Sequence, residues 1–241
     1  MRPRIPILTY HQVDAPPAGG VPYRSLVVSP SGFGRHMGLL KALGYQGLSM
    51  SALEPYLRGE KTGKVVGVTL DDGYVNNLEH ALPVLRHHGF SATCYVVSGQ
   101  LGGSNVWDHA KGVPPQRLMN AAQLKAWLAG GQEVGAHTRS HADLLQAGDQ
   151  AAREEIAGCK HDLERELEAE VRHFCYPYGH YRPEHAAIVR DAGYATATTT
   201  RRARSSQTDD LFELPRVPVL RTTTRPLLWM KVATGYEDRR G

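Results

Sequence analysis

Two carboxylates stand side by side in this sequence at the end of an apolar run. Asp71 and Asp72 directly follow the segment from Val65 to Leu70, which has the character of a buried strand. Adjacent carboxylates repel each other at close quarters unless something cationic compensates them. About 65 residues later the chain offers His137 and His141. One carboxylate and two imidazoles leave a metal with an open coordination position, which is typical of catalytic zinc sites.

The two carboxylates can divide the chemistry of a hydrolytic metal site. We expect Asp72, His137 and His141 to hold one divalent metal, most readily Zn²⁺, although Co²⁺, Ni²⁺ and Fe²⁺ accept similar donors. Asp71 would then accept a proton from a water whose pKa the metal lowers to roughly 7. Taken singly, an Asp before Gly often only forms a turn, and a His-x-x-x-His pair is often structural. The prediction therefore depends on their combination.

Two further positions could complete an acyl-transfer site. The segment Tyr176-Pro177-Tyr178-Gly179 ends a strand in a turn, and the Tyr178 backbone N–H could donate to an oxyanion. His11 follows the first apolar run and could protonate a leaving group, because histidine gains and loses a proton near neutral pH. The alternatives are a plain turn at Tyr178 and an ordinary loop histidine at position 11.

Composition restricts the class of protein. The chain has 241 residues, of which 41% are hydrophobic and 22% charged, so it can bury one large core. A formal net charge of +4 favours anionic surroundings only weakly, and the basic residues form no nucleic-acid motif. Three widely spaced cysteines do not describe a disulfide framework. We therefore expect a globular enzyme without a nucleic-acid partner.

The N-terminus predicts no export signal. The segment from Met1 to Thr9 has a basic start, but its apolar stretch is short and is interrupted by Pro6. No run approaches the roughly 18 apolar residues needed to span a bilayer. We expect a cytoplasmic protein with at most weak membrane-surface association, unless a leader has been removed. The sequence leaves the oligomeric state open.

The elements that position these residues alternate between strand-like and helical patterns. Apolar runs typical of strands cover residues 5–10, 65–70, 92–97, 133–136, 171–176, 195–198 and 214–220. Helical patterns cover residues 30–43, 77–89, 121–129, 149–170 and 183–192, and a last helix starts at 226. The residues from 99 to 117 resemble a long functional loop. The alternation predicts an α/β fold, a distorted (β/α)7-type barrel in a single domain over residues 1–241, with its chemistry at the strand C-termini.

Three motifs, in order and spacing, resemble those of polysaccharide deacetylases, the NodB-like members of carbohydrate esterase family four. They are Thr69 to Gly73, His137 to His141 and Tyr176 to Gly179, and the resemblance extends from about residue 5 to residue 220. It implies that Asp71 is the catalytic base and that Tyr178 supplies the oxyanion amide. It also implies that Asp72 and the two histidines are the metal ligands.

Two departures point to one branch of this family. Cys175 stands where the common pattern has an arginine that pairs with the base, and Leu214-Pro215-Arg216 lacks the late histidine acid. A permuted branch, similar to the poly-N-acetylglucosamine deacetylases of exopolysaccharide systems, takes its acid from an early Tyr-His pair, which His11 matches. We hypothesise that Arg216, at a predicted strand end, replaces the missing arginine; the alternative is a structural or surface arginine.

These observations predict a metal-dependent hydrolase that removes N-acetyl groups from an amino sugar in a glycan or in its lipid- or nucleotide-linked precursor. Trp107, in a Gly103 to Asp108 segment that also resembles the permuted branch, could stack on the sugar or plug the rim of the barrel. An O-acetyl esterase or a cyclic-amide hydrolase could use the same site. A catalytically weak carbohydrate-binding relative is a further alternative.

Overall fold

Ten strands and seven α-helices make up the part of the chain that the computed structural model describes, residues 4–240. Met1 to Pro3 and Gly241, at the two ends of the predicted domain, lie outside the described residues. The strands are β1 (Ile7–Tyr10), β2 (Gln12–Val13), β3 (Val27–Val28), β4 (Gln46–Leu48), β5 (Val65–Leu70), β6 (Thr93–Val96), β7 (Glu133–Ala136), β8 (His173–Cys175), β9 (Thr196–Arg202) and β10 (Leu214–Pro218). The helices are α1 (Pro30–Ala42), α2 (Met50–Leu57), α3 (Leu82–His88), α4 (Ala121–Ala129), α5 (Asp149–Leu167), α6 (Pro183–Asp191) and α7 (Arg225–Ala233).

Seven of these strands close into a parallel barrel. The order is β1-β10-β9-β8-β7-β6-β5, and β1 also pairs with β5 from Ile7↔Gly67 to Tyr10↔Leu70, which completes the ring. Because all seven strands run in the same direction, their C-terminal ends meet at one rim. The predicted α/β fold, a (β/α)7-type barrel, is confirmed.

The segment between residues 46 and 57 was not predicted as regular structure. It forms β4, which pairs with the first half of β5, and α2, which carries Pro55. Met50 and Leu53 of α2 pack in one buried cluster with Ile7 and Tyr95 from the barrel strands. The strand of three residues and the proline hid this unit from pattern analysis, although Ser49 before Met50 is a recognisable helix start.

Several predicted helix boundaries have a clear local cause. Ser29 caps α1, where its side chain accepts from the Gly32 N–H at 3.1 Å. Asn120 and Gln123 form a reciprocal capping box at the start of α4. The helix expected from residue 77 begins as a π-helical turn and becomes α3 at Leu82, with Pro83 in its first turn. These local contacts fix where the helices begin.

The long segment after β6 is ordered by short elements rather than being a plain loop. It contains 3-10 turns at Ser98–Gln100 and Val106–Lys111. Backbone bridges join Ser104 to Arg117 and Tyr74 to Leu118, so the segment folds back over the end of β5. Within residues 4–240, no helix is both long and apolar enough to cross a membrane.

Candidate active site

Asp72, His137 and His141 meet at the C-terminal rim of the barrel. Asp72 follows β5 and His137 follows β7, and all three side chains are buried. One Asp72 carboxylate oxygen, Oδ1, lies 3.5 Å from His137 Nε2 and 3.4 Å from His141 Nε2. One donor atom from each residue lies within 4.8 Å of the others. The structure thus brings together the three residues predicted to hold a metal.

The backbone brings the three donor side chains together without forming a helical turn. The His-x-x-x-His spacing suits one face of a helix, but the segment from 137 to 141 is not helical, and Thr138 and His141 adopt positive φ angles of 64° and 62°. Asp72 also lies in this region, at 76°. Left-handed conformations are uncommon outside glycine, more so for a β-branched residue such as Thr138 than for Asp or His. They cluster at functional sites, where the surrounding structure enforces them.

The donor set fits a divalent metal. His137 Nδ1 lies 2.7 Å from the Cys175 carbonyl oxygen, a contact that orients the ring and directs Nε2 towards the cluster. Burial lowers the pKa of His141 despite the nearby Asp72 carboxylate, which favours the neutral imidazole that binds metals. Burial raises the pKa of Asp72, but the hydrogen bond from His141 and the other nearby histidines outweigh it, so the pKa is lowered and Asp72 is an anion. Two imidazoles and one carboxylate suit Zn²⁺ and related ions.

Asp71 belongs to a separate pair with Arg216. Arg216 Nη1 donates to Asp71 Oδ1 at 2.7 Å, and Nη2 donates to Oδ2 at 2.8 Å. Arg216 lies inside β10 rather than at its end, which corrects the predicted position, and its side chain is 2% exposed. His137 and Cys175 are also close enough to Asp71 to form a metal cluster, but both Asp71 oxygens are already occupied by Arg216. The Asp72 set is therefore the better metal site.

This ion pair keeps Asp71 charged inside the protein. Burial disfavours both charges, but their attraction is the stronger effect: the pKa of Asp71 is lowered and that of Arg216 is raised. Arg216 is held on its other side by the Thr199 carbonyl oxygen, which accepts from Nε at 2.9 Å. Cys175 Sγ lies 3.1 Å from Arg216 Nη2.

His11 faces the same carboxylate from the solvent side. Its Nε2 is 3.9 Å from Asp71 Oδ2, and its side chain is 27% exposed. His11 directly follows β1, at the rim where β1 and β5 pair. The ring therefore lies between the buried Asp71 and bulk water.

Tyr178 and Trp107 enclose His141 from two directions. The His141 ring stacks on Trp107, with centroids 4.5 Å apart and planes at 10°, and meets the edge of Tyr178 at 4.7 Å. The Tyr178 turn has a positive φ of 59°. The next residue, Gly179, has a positive φ of 71°. A Cβ at this position would lie 1.9 Å from Thr200 Oγ1, so only glycine fits. Trp107 thus contacts a proposed metal ligand directly, in addition to lining the cavity.

The candidate residues line one cavity of about 680 Å³ that opens to solvent. Its walls include all eight site residues predicted from the sequence, which are His11, Asp71, Asp72, Trp107, His137, His141, Tyr178 and Arg216. Asp108 and Tyr23 also line it, and sequence reasoning assigned neither a role. The position of Asp108 next to Trp107 was a usable signal, whereas nothing local marked Tyr23.

The fold and this site define a deacetylase-type barrel enzyme. The family described as polysaccharide deacetylase matches residues 58–197, and this chain belongs to that family. The Bacillus subtilis (strain 168) protein YxkH, which is named for the same family, is 28% identical over 218 residues, covering 90% of this chain and 71% of YxkH.

Two solved structures extend the likeness over nearly the whole chain. The Streptococcus pyogenes deacetylase PplD, solved in complex with acetate, has a TM-score of 0.83 and 25% identity, covering 96% of this chain and 99% of PplD. IcaB from Ammonifex degensii has a TM-score of 0.78 and 26% identity, covering 93% of this chain and 95% of IcaB. The resemblance inferred from three short motifs is therefore confirmed at the level of the family.

Proposed function

We propose that this protein is a metal-dependent hydrolase that removes N-acetyl groups from amino sugars of a glycan. The observation that carries the proposal is that two adjacent carboxylates have different partners. Asp72 faces two imidazoles, whereas Asp71 is held by Arg216 and faces His11. This arrangement provides a metal site and a separate proton acceptor in one cavity.

Asp72, His137 and His141 would hold the metal. A divalent cation bound there polarises an acyl carbonyl and makes water more acidic. The stacked Trp107 ring and the His137 contact to the Cys175 carbonyl keep the imidazoles in place.

The other residues move protons. Asp71, ionised because Arg216 lowers its pKa, takes a proton from the attacking water through a carboxylate oxygen. The Tyr178 backbone N–H donates to the oxygen of the acetyl carbonyl as negative charge develops there. His11 gives a proton to the amine nitrogen as the C–N bond breaks. The acetic acid that forms loses the other water proton, so the products are acetate and a free amino sugar. Asp71 releases its proton to solvent and His11 takes one up, which returns both groups to their starting states.

The substrate class is supported by the position of the proposed proton donor in the chain. An early histidine at position 11 is the feature by which the sequence resembles poly-N-acetylglucosamine deacetylases, and this supports an N-acetylated amino sugar and a role in exopolysaccharide biosynthesis. The deacetylase PplD, whose structure matches 96% of this chain, was solved in complex with acetate, which is the acid that the proposed reaction would release. Action on a lipid- or nucleotide-linked precursor in the cytoplasm stays a prediction.

The test is acetate release from N-acetylglucosamine oligomers and from acetyl-xylan, coupled to elemental analysis. We expect turnover on the oligomers, its loss on chelation, and its return with Zn²⁺ or Co²⁺. The control variant Asp72→Ala should lose both metal and turnover. Full metal content and turnover in that variant would overturn the assignment of the site, and turnover on acetyl-xylan alone would indicate an O-acetyl esterase.

A further inference from the structure

A lysine outside the catalytic cavity joins two turns that border it. Lys111 is the last residue of the 3-10 turn that carries Trp107. Its Nζ donates to the hydroxyl oxygen of Tyr178 at 3.4 Å and lies 4.7 Å from the centroid of the Tyr178 ring. The same Nζ donates to Asp108 Oδ1, within its own turn, at 2.9 Å. Lys111 therefore connects the Trp107 side of the cavity with the Tyr178 side.

The turn that ends at Lys111 is anchored to the body of the protein. Asn105, which precedes the turn, is fully buried, and its side-chain oxygen accepts from the Gln116 N–H at 2.7 Å. The Asp108 N–H donates to the Asn105 carbonyl oxygen at 3.0 Å, and the Val113 N–H donates to the Asp108 carbonyl oxygen at 3.3 Å. These hydrogen bonds hold the turn on both sides, so the lysine side chain extends from a fixed base.

Lys111 keeps its positive charge at this position. Burial lowers the pKa of its amine, but the hydrogen bonds and charges of Asp108 and Tyr178 outweigh this effect, so the pKa is raised. A hydrogen bond between two ionised groups is stronger than one between neutral groups, so Asp108 orients the amine. The cation can then bind the Tyr178 ring through its face and the hydroxyl through a hydrogen bond.

The Tyr178 turn needs support from its surroundings. Its φ of 59° is rare for a residue other than glycine, and such conformations persist only where neighbouring groups enforce them. On the backbone side, Thr200 Oγ1 donates to the Tyr178 carbonyl oxygen at 3.2 Å. On the side-chain side, the ring contacts His141 and the Lys111 amine, each 4.7 Å from the ring centroid. Lys111 is thus one of the groups that restrain the ring, and through it the adjacent backbone.

Lys111 itself does not line the catalytic cavity, whereas Asp108 and Tyr178 do. It is therefore placed to affect the reaction through these partners rather than by touching the substrate. Tyr178 is the partner that matters for the proposed chemistry, because its backbone N–H would donate to the developing oxyanion. Such a donor must point at the place where the negative charge appears, and a misplacement of about 1 Å can cost roughly 100-fold in rate.

We infer that Lys111 is a positioning residue of the deacetylation: it holds the Tyr178 ring so that the Tyr178 N–H is directed at the acetyl oxygen in the transition state. This inference rests on the proposed function and goes further, because it assigns part of the rate to a lysine outside the cavity. An ordinary exposed ion pair contributes little to stability and nothing to turnover. The two roles therefore differ in their effect on kcat.

The kinetic test uses Lys111→Met, which keeps most of the length of the side chain and removes its charge. Acetate release from the N-acetylglucosamine tetramer should show kcat lower by about 10-fold, less than the roughly 10²–10³-fold cost of losing an oxyanion donor, with KM changed by at most about 2-fold. Lys111→Arg retains a cation and should restore most of kcat. The matched control is Lys125→Met, because Lys125 is another exposed lysine and is ion-paired with Glu168 at 3.1 Å. An unchanged kcat in Lys111→Met, or a rise in KM alone, would overturn the inference.

A double-mutant cycle tests whether Lys111 acts through the Tyr178 ring. Tyr178→Ala removes the ring and keeps the backbone N–H. Lys111→Met should therefore lower kcat about 10-fold in the wild-type background and less than about 2-fold in the Tyr178→Ala background. Equal effects in both backgrounds would contradict the positioning role. Elemental analysis of Lys111→Met should show the wild-type metal content, and a loss of metal would also contradict it, since the lysine would then act through His141.

A measurement without substrate decides the positioning role independently of turnover. Nitrogen-15 relaxation of the Tyr178 amide should give an order parameter of about 0.85 in the wild-type protein, and in Lys111→Met it should fall towards about 0.6, the value of flexible backbone. Lys125→Met should leave it unchanged. An order parameter that does not fall in Lys111→Met would overturn the inference. If the wild-type protein releases acetate from no acetylated glycan, the proposed function fails, while the relaxation measurement still supports or rejects Lys111 as the residue that holds the Tyr178 turn.

Discussion

Arg216 reaches Asp71 across the barrel interior and binds both of its carboxylate oxygens, at 2.7 and 2.8 Å. The arginine comes from β10, whereas the common family pattern would place it at position 175 on β8. Cys175 occupies that position, with its thiol 3.1 Å from the same guanidinium. The Asp71 carboxylate is therefore compensated by a cation, but the cation is supplied by a different strand.

Removing this cation should change both stability and pH dependence. Arg216→Met leaves a buried carboxylate without its partner, which costs about 3–5 kcal/mol in buried pairs. Because Arg216 lowers the pKa of Asp71, its removal raises that pKa, so the rise of kcat/KM with increasing pH should move to higher pH. Urea unfolding and a pH–rate profile measure the two effects. Arg221→Ala, at an exposed arginine beyond β10, is the control, and an unshifted profile in Arg216→Met would contradict the pairing role.

Substitutions of the two adjacent carboxylates should differ in their effect on metal binding. Asp72→Asn is expected to lose the metal together with turnover, because Asp72 faces both imidazoles. Asp71→Asn should keep the metal and lose about 10²–10⁴-fold in turnover, the usual range for a proton acceptor. Elemental analysis and acetate release on the same samples distinguish the two. Loss of metal from Asp71→Asn would show that the division of roles is wrong.

Trp107 should affect the metal as well as the sugar. Its ring stacks on His141 at 4.5 Å, so Trp107→Ala removes the surface that holds this ligand. We expect the metal affinity to fall about 10-fold, within the range seen when residues supporting a ligand are removed. Competition with a chelator measures it. Val106→Ala, at the exposed neighbouring residue, is the control; a normal metal affinity in Trp107→Ala would leave only a role in sugar binding.

An ion pair behind the metal site should contribute to stability in a pH-dependent way. Arg139, between the two histidines, donates to Asp162 of α5 at 2.7 and 3.1 Å, and this hydrogen bonding lowers the pKa of Asp162 below its usual 3.8. A lowered carboxyl pKa stabilises the fold above the usual value, and the stabilisation is lost as pH falls through the lowered pKa. Asp162→Asn should therefore lower the free energy of unfolding by about 1 kcal/mol at pH 7. Below pH 4 the variant should lose less stability than the wild-type protein does.

Urea unfolding at several pH values tests this expectation. Asp191→Asn, at an exposed aspartate at the end of α6, provides the control. Parallel stability curves for wild type and Asp162→Asn across the acid range would contradict the role of the pair.

Local patterns were sufficient to locate the barrel strands, although β9 continues four residues beyond its predicted end, to Arg202, and β10 ends earlier than predicted, at Pro218. Runs such as 65–70 and 133–136 are apolar because the strands are buried, and polar residues begin where each strand ends. The predicted positions of Asp72 and His137 follow from this. The unit of β4 and α2 was missed because three strand residues and a helix containing Pro55 give too little periodicity.

The sequence by itself determined the class of fold and the family, and it predicted the residues proposed to carry chemistry, because each depends on residue types at short spacing. Only the tertiary structure decided which side chains meet across the barrel. Arg216 pairs with Asp71 over 145 positions, Trp107 stacks on His141, and Lys111 contacts Tyr178. Such contacts depend on barrel closure and on loop conformations with positive φ, and neither leaves a periodic signal in the chain.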